Sequence, residues 1–296
     1  MRATVRCPGS CGELVQGTVA GMNFLVTCPV TLYSQVSVDL SAECETPWRI
    51  GDKTLEAVRR TLEYLELPWQ QVGVRVESEL PLGKGMASSS ADISAACLAT
   101  ALASGRQIEP DKICDIALSI EPTDGIFLPG ITLIDHVTGK VRRCLGDPPA
   151  ITMAIFDVGG EVDTINFNLR SDLASLNLAK EAQVLDALQM VEEGIRSGDC
   201  SLIGEGATLS ALANQPILFK PSLEGIIDLS RSFGAVGVNA AHSGTVIGVL
   251  FAADAAAGME KCVAEICRQY PEIQHFGQAR LTGGGLLVVE DPRHAG

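Results

Sequence analysis

The segment Pro81-Leu82-Gly83-Lys84-Gly85-Met86-Ala87-Ser88-Ser89-Ser90-Ala91-Asp92 joins a glycine-rich turn to three serines at the head of an alanine-rich stretch. A glycine turn feeding a helix start presents unpaired backbone N–H groups and the positive end of the helix dipole to an anion. Serine hydroxyls there can cap the helix and can also ligate a hard cation such as Mg²⁺. Two familiar phosphate motifs are excluded. The P-loop needs G-x-x-x-x-G-K-[ST], whereas Gly83-Lys84 is followed by Gly85. A dinucleotide fingerprint starting at Gly83 puts Ser88 where the third small residue should fall. Taken alone, the segment is equally consistent with a plain turn between a strand and a capped helix.

The elements that must position these residues can be read from periodicity. Residues 74–80 read as a strand before the turn and 93–102 as a helix after it. Further upstream, 31–40 alternates as a strand with one buried face, and 54–65 has helical spacing that Pro68 ends. Downstream, Ser104-Gly105 closes the serine-headed helix, and 110–120 begins another with Pro110 in its first turn. Residues 131–141 predict two strands around a turn at Thr138-Gly139. The Gly146-Asp147-Pro148-Pro149 cluster is the best linker, dividing the chain into domains 1–148 and 149–296. The second half restarts with a strand over 151–157 and a turn at Gly159-Gly160. One long helix is expected over 175–195, with Leu178, Ala182, Leu185, Leu188 and Ile195 on its stripe. Helices over 201–212 and 222–233 come next. Strands over 236–240 and 245–251, a helix over 254–270 capped by Asp254, and a last strand over 278–289 complete the pattern. Gly283-Gly284-Gly285 reads as a distortion of that last strand. The fold class is α+β, with a ferredoxin-like second half.

Composition narrows the classes of function. At 296 residues, with 46% hydrophobic, 20% charged and only 4% aromatic residues, the chain is globular with a core of Ala, Val, Leu and Ile. A net charge of −14 argues against nucleic acid or an anionic membrane as partner, so an anionic nucleotide needs a local positive site. No apolar run approaches the roughly 20 residues of a membrane-spanning helix, and Met1 to Arg6 lacks a signal-peptide core; a cytoplasmic location is expected. The ten cysteines, of which Cys7/Cys11 and Cys262/Cys267 are the closest pairs, form no zinc-binding pattern and are expected as packed free thiols. His136, His242, His275 and His294 have no metal-ligand spacing.

Two further motifs accompany the first. Cys7-Pro8-Gly9-Ser10-Cys11-Gly12-Glu13-Leu14-Val15-Gln16-Gly17 lies upstream, and Ala240-Ala241-His242-Ser243-Gly244-Thr245-Val246-Ile247-Gly248-Val249-Leu250 lies downstream. In this order the three resemble the motifs of the GHMP kinases (galactokinase, homoserine kinase, mevalonate kinase, phosphomevalonate kinase). The central family pattern P-x-x-x-G-L-[GA]-S-S-[AS] matches Pro81 through Ser90, with Met86 in place of Leu. The resemblance spans nearly the whole chain. It implies a two-domain GHMP kinase fold, with an N-terminal domain of ribosomal-protein-like β-α-β topology and a ferredoxin-like C-terminal domain. Ser10 replaces the basic residue that most members carry. That variant, together with Asp157-Val158-Gly159-Gly160-Glu161-Val162-Asp163-Thr164, resembles the L-threonine kinases of cobalamin and propanediol metabolism. These convert L-threonine and ATP to O-phospho-L-threonine, a precursor of the aminopropanol linker of cobalamin.

The resemblance implies roles for particular residues. Pro81, Leu82, Gly83, Lys84, Gly85, Met86, Ala87, Ser88, Ser89 and Ser90 wrap the nucleotide phosphates, with Ser243 and Gly244 beside them. Ser89 and Glu121 ligate Mg²⁺. Asp124 takes the proton of the substrate hydroxyl or only orients it. Glu13, Gln16, Asp163, Thr164 and His242 are the substrate-contact candidates, because an amino acid needs acceptors for its ammonium and donors for its carboxylate. ATP and Mg²⁺ are the expected cofactors and L-threonine the expected substrate; a homodimer is allowed for. Two alternatives stay open: another GHMP kinase such as homoserine kinase, and a relative that binds a small molecule without turning it over.

Overall fold

The fold was obtained as a computed structural model, which describes residues 1–40, 51–69, 72–160 and 170–290. Two long strands, β1 (Arg2–Val19) and β2 (Met22–Asp39), form its central hairpin. The hairpin turns at Ala20 and Gly21, both with positive φ (50° and 76°), the backbone that a two-residue hairpin turn requires. The strand expected over 31–40 is therefore only the second half of β2. The motif at residues 7–17 is itself strand, the irregular middle of β1. Its register against β2 shifts between Pro8 and Gly9, Ser10 and Glu13, and Glu13 and Val15. Proline cannot donate to the ladder, and bulges of this kind re-aim side chains.

Next come α1 (Asp52–Tyr64), β3 (Gly73–Ser78), α2 (Ser88–Ala103), α3 (Pro110–Ile120), β4 (Ile131–Ile134) and β5 (Arg142–Gly146). The second half supplies β6 (Ile151–Asp157), α4 (Leu173–Ala179), α5 (Glu181–Ser197), α6 (Cys200–Ala213) and α7 (Leu223–Arg231). It ends with β7 (Gly237–Ala240), β8 (Val246–Ala252), α8 (Ala256–Gln269), β9 (Gln274–Arg280) and β10 (Leu287–Val289). The described strands form one antiparallel sheet in the order β5-β4-β2-β1-β7-β8-β6-β9, with β3 paired to β2 and β10 to β1. The division expected after residue 148 puts β1–β5 on one side and β6–β10 on the other. Along the main path, β1 meets β7 through a single residue pair, Glu13 with Ala240.

Helix α2 is buried on nearly every face, because β1 and β2 lie against one side of it and α1 and α3 cover others. Its alanines let those neighbours approach closely, and its buried hydroxyls bond back along the helix, Ser94 Oγ to Ser90 O and Thr100 Oγ1 to Ala96 O at 2.7 Å each. A second apolar cluster, built on Phe156, Leu223, Ile226, Phe251 and Ile266, lies between α7, α8 and the strands of the second half. The nine described cysteines are free. Burial pushes the Cys7 thiol up to about 12, so it is a packed thiol rather than a nucleophile.

Three expectations need correction. The single helix over 175–195 is two helices that part at Lys180. Leu178 and Leu185 are exposed, while Val184, Ala187, Val191 and Ile195 carry the buried stripe of α5. The stripe restarts because Lys180, not an apolar residue, turns into the interior. Helix α8 starts one residue beyond Ala255 with no side-chain cap, so Asp254 does not cap it. Finally, the strand expected over 278–289 is split into β9 and β10 around the triple glycine. There Gly284 N–H donates to Gly130 O (3.1 Å) and Gly285 N–H to Ile126 O (3.0 Å).

Helix α6 lies backbone-to-backbone on β7. A Cβ on Gly204 would stand 2.2 Å from Val236 O, with no flexible side-chain atom to give way. Gly204→Ala should lower unfolding free energy by about 1–3 kcal/mol, the usual cost of overpacking. Urea denaturation of the two proteins checks this, and an unchanged midpoint would refute the close approach.

Candidate functional site

The three sequence motifs meet at one loop, residues 81–87, which joins β3 to α2. Ser10 N–H donates to Met86 O (3.0 Å) and Gly12 N–H to Gly85 O (3.1 Å), while Thr245 and Val246 N–H both donate to Lys84 O (3.0 and 3.1 Å). The loop's carbonyls are thus held by the first and third motifs. The N–H groups of Ser88, Ser89 and Ser90 open α2 and have no carbonyl one turn earlier to bond. Gly83, Gly85 and Ala87 have φ of 70°, 85° and 56°. Left-handed residues interspersed through a loop in this way turn successive N–H groups toward a common point and make an anion-binding concavity. Glycine is required by space as well: a Cβ on Gly85 would lie 2.4 Å from Ala241 Cβ, and one on Gly244 2.5 Å from Gly85 Cα. Leu82 and Gly83 are exposed, Met86 is fully buried, and Lys84 pairs with Asp157 (Nζ to Oδ2, 2.9 Å) and donates to Gly160 O (2.8 Å).

The serines do not cap α2. The cap position is Ala87, left-handed and without a side-chain bond, so all three serines lie in the first helical turn. There Ser89 Oγ bonds Glu121, which ends α3 and also pairs with Lys53. Ser90 Oγ lies 3.2 Å from Asp124 Oδ2 and 3.2 Å from Asp124 N–H. Burial, followed by the nearby charge of Glu13 and with a lesser push from Glu121, raises Asp124 to about 7 against the opposing hydrogen bond from Ser90.

Glu13 is buried where the two halves of the sheet join. Its Oε2 accepts from His242 N–H (3.0 Å) and faces His242 Nδ1 (3.1 Å), which also faces Ala240 O (3.1 Å). Two acceptors before Nδ1 assign it the ring proton, so Nε2 accepts from Ser210 Oγ (3.1 Å), and Ser210 in turn accepts from Gln16 N–H (3.2 Å). Burial holds His242 below its ordinary value despite Glu13. Two buried lysines flank this chain of bonds. Lys220 Nζ donates to Ala241 O (2.7 Å), and Lys180 Nζ donates to Asn214 Oδ1 (2.9 Å) and Gln16 O (3.4 Å). Burial brings both ammonium groups down to about 8, with Glu13 pulling the other way.

A cleft of about 700 Å³ opens from this cluster, lined at its inner end by Gln16, His136, Lys180, Asn214 and His242 and outward by the tip of the β1–β2 hairpin and α4. Gln16 Oε1 and His136 Nδ1 are buried there without a hydrogen-bond partner among the described residues.

The structure therefore brings Glu13, Gln16, Ser89, Ser90, Glu121, Asp124 and His242 into one neighbourhood and sets Ser243 and Gly244 against the loop. Asp163 and Thr164 lie outside the described residues. Sequence reasoning missed Lys53, His136, Asp157, Lys180, Asn214 and Lys220. Apart from Asp157, which heads the Gly159-Gly160 segment, none of these sits in a motif, and a lysine within a helical pattern reads as solvated surface. Among the described residues no group of three His, Cys, Asp or Glu is placed to hold a metal ion. Mg²⁺ needs fewer, since it keeps waters and phosphate oxygens and takes one or two hard protein oxygens, which the Ser89 hydroxyl and Glu121 carboxylate fit. No helix of the described residues is long and apolar enough to cross a membrane.

Known proteins resemble this chain in sequence and in fold. The model of the GHMP kinases N-terminal domain matches residues 52–127, and that of the GHMP kinases C-terminal region matches 191–271. The chain is 34% identical over 253 residues to an L-threonine kinase of Salmonella typhimurium, covering 84% of this chain and 82% of that protein. It is 32% identical to an L-threonine kinase of Citrobacter freundii over 84% and 86% of the two chains. A homoserine kinase from Cytophaga hutchinsonii shares the fold, with a TM-score of 0.70 at 19% identity over 97% of each chain. A phosphate-type loop, adjacent acids and a polar cleft, on this fold and in this company, lead to one conclusion: the chain belongs to the GHMP kinases and is an ATP-dependent kinase.

Proposed function

We propose that the chain transfers the γ-phosphoryl group of ATP to the hydroxyl of L-threonine, giving O-phospho-L-threonine and ADP, and that this product feeds the aminopropanol linker of cobalamin in the cytoplasm. The similarity to two L-threonine kinases along most of the chain carries this reading. The cleft's chemistry supports it. Gln16 Oε1, which lines the cleft, is a buried acceptor without a partner among the described residues, the kind of group that receives an ammonium.

Phosphoryl transfer asks the protein chiefly to hold two oxygens in line and to neutralise charge on the moving group. The N–H groups of residues 83–90 would bind the phosphates, and Ser89 and Glu121 would hold Mg²⁺, which supplies charge neutralisation when bound. Asp124 orients the acceptor hydroxyl and takes its proton as the new oxygen–phosphorus bond forms and ADP leaves. An ordinary carboxylate is a weak base for this, but one pushed up to about 7 is matched to neutral pH.

Coupled ADP release with Mg²⁺-ATP should depend on L-threonine; release with L-homoserine or mevalonate but not L-threonine would overturn the acceptor assignment. Ser89→Ala should lower kcat on the order of 100-fold, as loss of one preorganised oxygen at a charge-developing site does. Unchanged turnover would remove Ser89 from the site. Asp124→Asn should lower kcat by roughly 10²- to 10⁴-fold and abolish the fall in kcat/KM that the parent shows as pH drops below about 7.

The same substitution has a signature in stability. A carboxyl whose folded pKa is raised from 3.8 to about 7 costs the fold nothing below the lower value, and it costs most above the upper one. The Asn variant should therefore melt above the parent at pH 8, and the gap should close as pH falls toward 4. Equal melting temperatures at pH 8 would contradict the buried charge.

A further inference from the structure

Lys180 is only 5% exposed, yet it lines the cleft, at the point where α4 and α5 part. A buried ammonium is costly unless its charge is answered, and its three donors need acceptors. The two acceptors it reaches, Asn214 Oδ1 and Gln16 O, are both neutral. None of the ion pairs among the described residues includes it, so a donor and a full charge remain for something entering the cleft. The neighbouring cations are differently engaged. Arg170 also lines the cleft, but its guanidinium grips Asp172 with two nitrogens and Ile217 O with a third. Lys220 is tied to Ala241 O and does not line the cleft.

The partners of Lys180 are themselves fixed to the reaction centre. Asn214 Nδ2 donates to His242 O (3.3 Å), and the Gln16 main chain reaches His242 through Ser210. Glu13, which bonds His242, is the shared electrostatic neighbour of Asp124 and Lys180. The ammonium is thus tied by a short run of buried hydrogen bonds to His242 and Glu13, and the charge of Glu13 bears in turn on the proposed base.

We propose that Lys180 binds the carboxylate of the acceptor and so selects 2-amino acids over simple alcohols. The assignment rests on the proposed amino-acid acceptor and deepens it. The carboxylate closes a charge-assisted hydrogen bond with Lys180 while Asn214 and Gln16 O hold the ammonium in place.

The test compares L-threonine with L-threoninamide, whose carboxylate is replaced by a neutral amide, in the wild type, Lys180→Met and Lys180→Arg. The wild type should prefer L-threonine in kcat/KM by on the order of 10- to 100-fold, the weight of one hydrogen bond to a charged group. Lys180→Met should raise the KM for L-threonine by a similar factor, leave the KM for ATP unchanged and erase the preference; Lys180→Arg should restore part of it. A wild type that accepts both equally overturns the proposal without any variant, as does a Lys180→Met protein that keeps the preference. If L-threonine releases no ADP but L-homoserine does, the acceptor reading fails. The same comparison with homoserinamide then judges Lys180 separately.

Discussion

The constraint on which the site depends is the burial of one carboxylate, Glu13, where the two halves of the sheet touch. A charge removed from water must be met by donors, and the His242 main chain and ring meet it. That requirement fixes the approach of the third motif to the first. It orients His242, settles which ring nitrogen carries the proton, and through Ser210 reaches the Gln16 backbone. Burial lifts Asp124 and the same charge adds to the rise, while it supports two buried lysines. Electrostatics at the centre are therefore arranged by a residue that belongs to a strand rather than to the loop at 81–87.

Close backbone contact is the second ordering principle. The loop at 81–87 has its carbonyls consumed by Ser10, Gly12, Thr245 and Val246, and only glycine at 85 and 244 leaves room for this. Gly12, Gly85 and Gly244, one from each motif, thus have a common physical origin. They are the points at which separate strands and a loop share one layer of space.

Much of this was legible in the sequence. The strand at β6 and the helix at α3 have the bounds that periodicity and Pro110 indicate, because their patterns are local. The three motifs could be placed in one neighbourhood because, in that order, they resemble those of the GHMP kinases. Other features depended on tertiary context. Nothing in residues 175–195 marks Lys180 as the place where the helix divides, since its ammonium is drawn inward by Asn214 and Gln16, residues distant in sequence. The first motif did not read as a strand because Pro8, Gly9 and Gly12 are poor strand formers, tolerated there by bulges. The serines looked like caps; Ala87 takes that place because the loop enters the helix in a left-handed turn.

The bond between Glu13 and His242 joins residues separated by 229 positions, and β10 returns to pair with residues 4–6 of β1. Contacts of such span form late, because the chain between them must lose its freedom before they repay it. A ribosome that has released only the first 200 residues has made the serine-headed helix and both acids beside it, but not the third motif, whose Thr245 and Val246 N–H groups hold the loop at 81–87. The contacts that join the three motifs thus wait on residues 240–289, and a chain made only to residue 200 has the loop without the partners from the third motif that hold it.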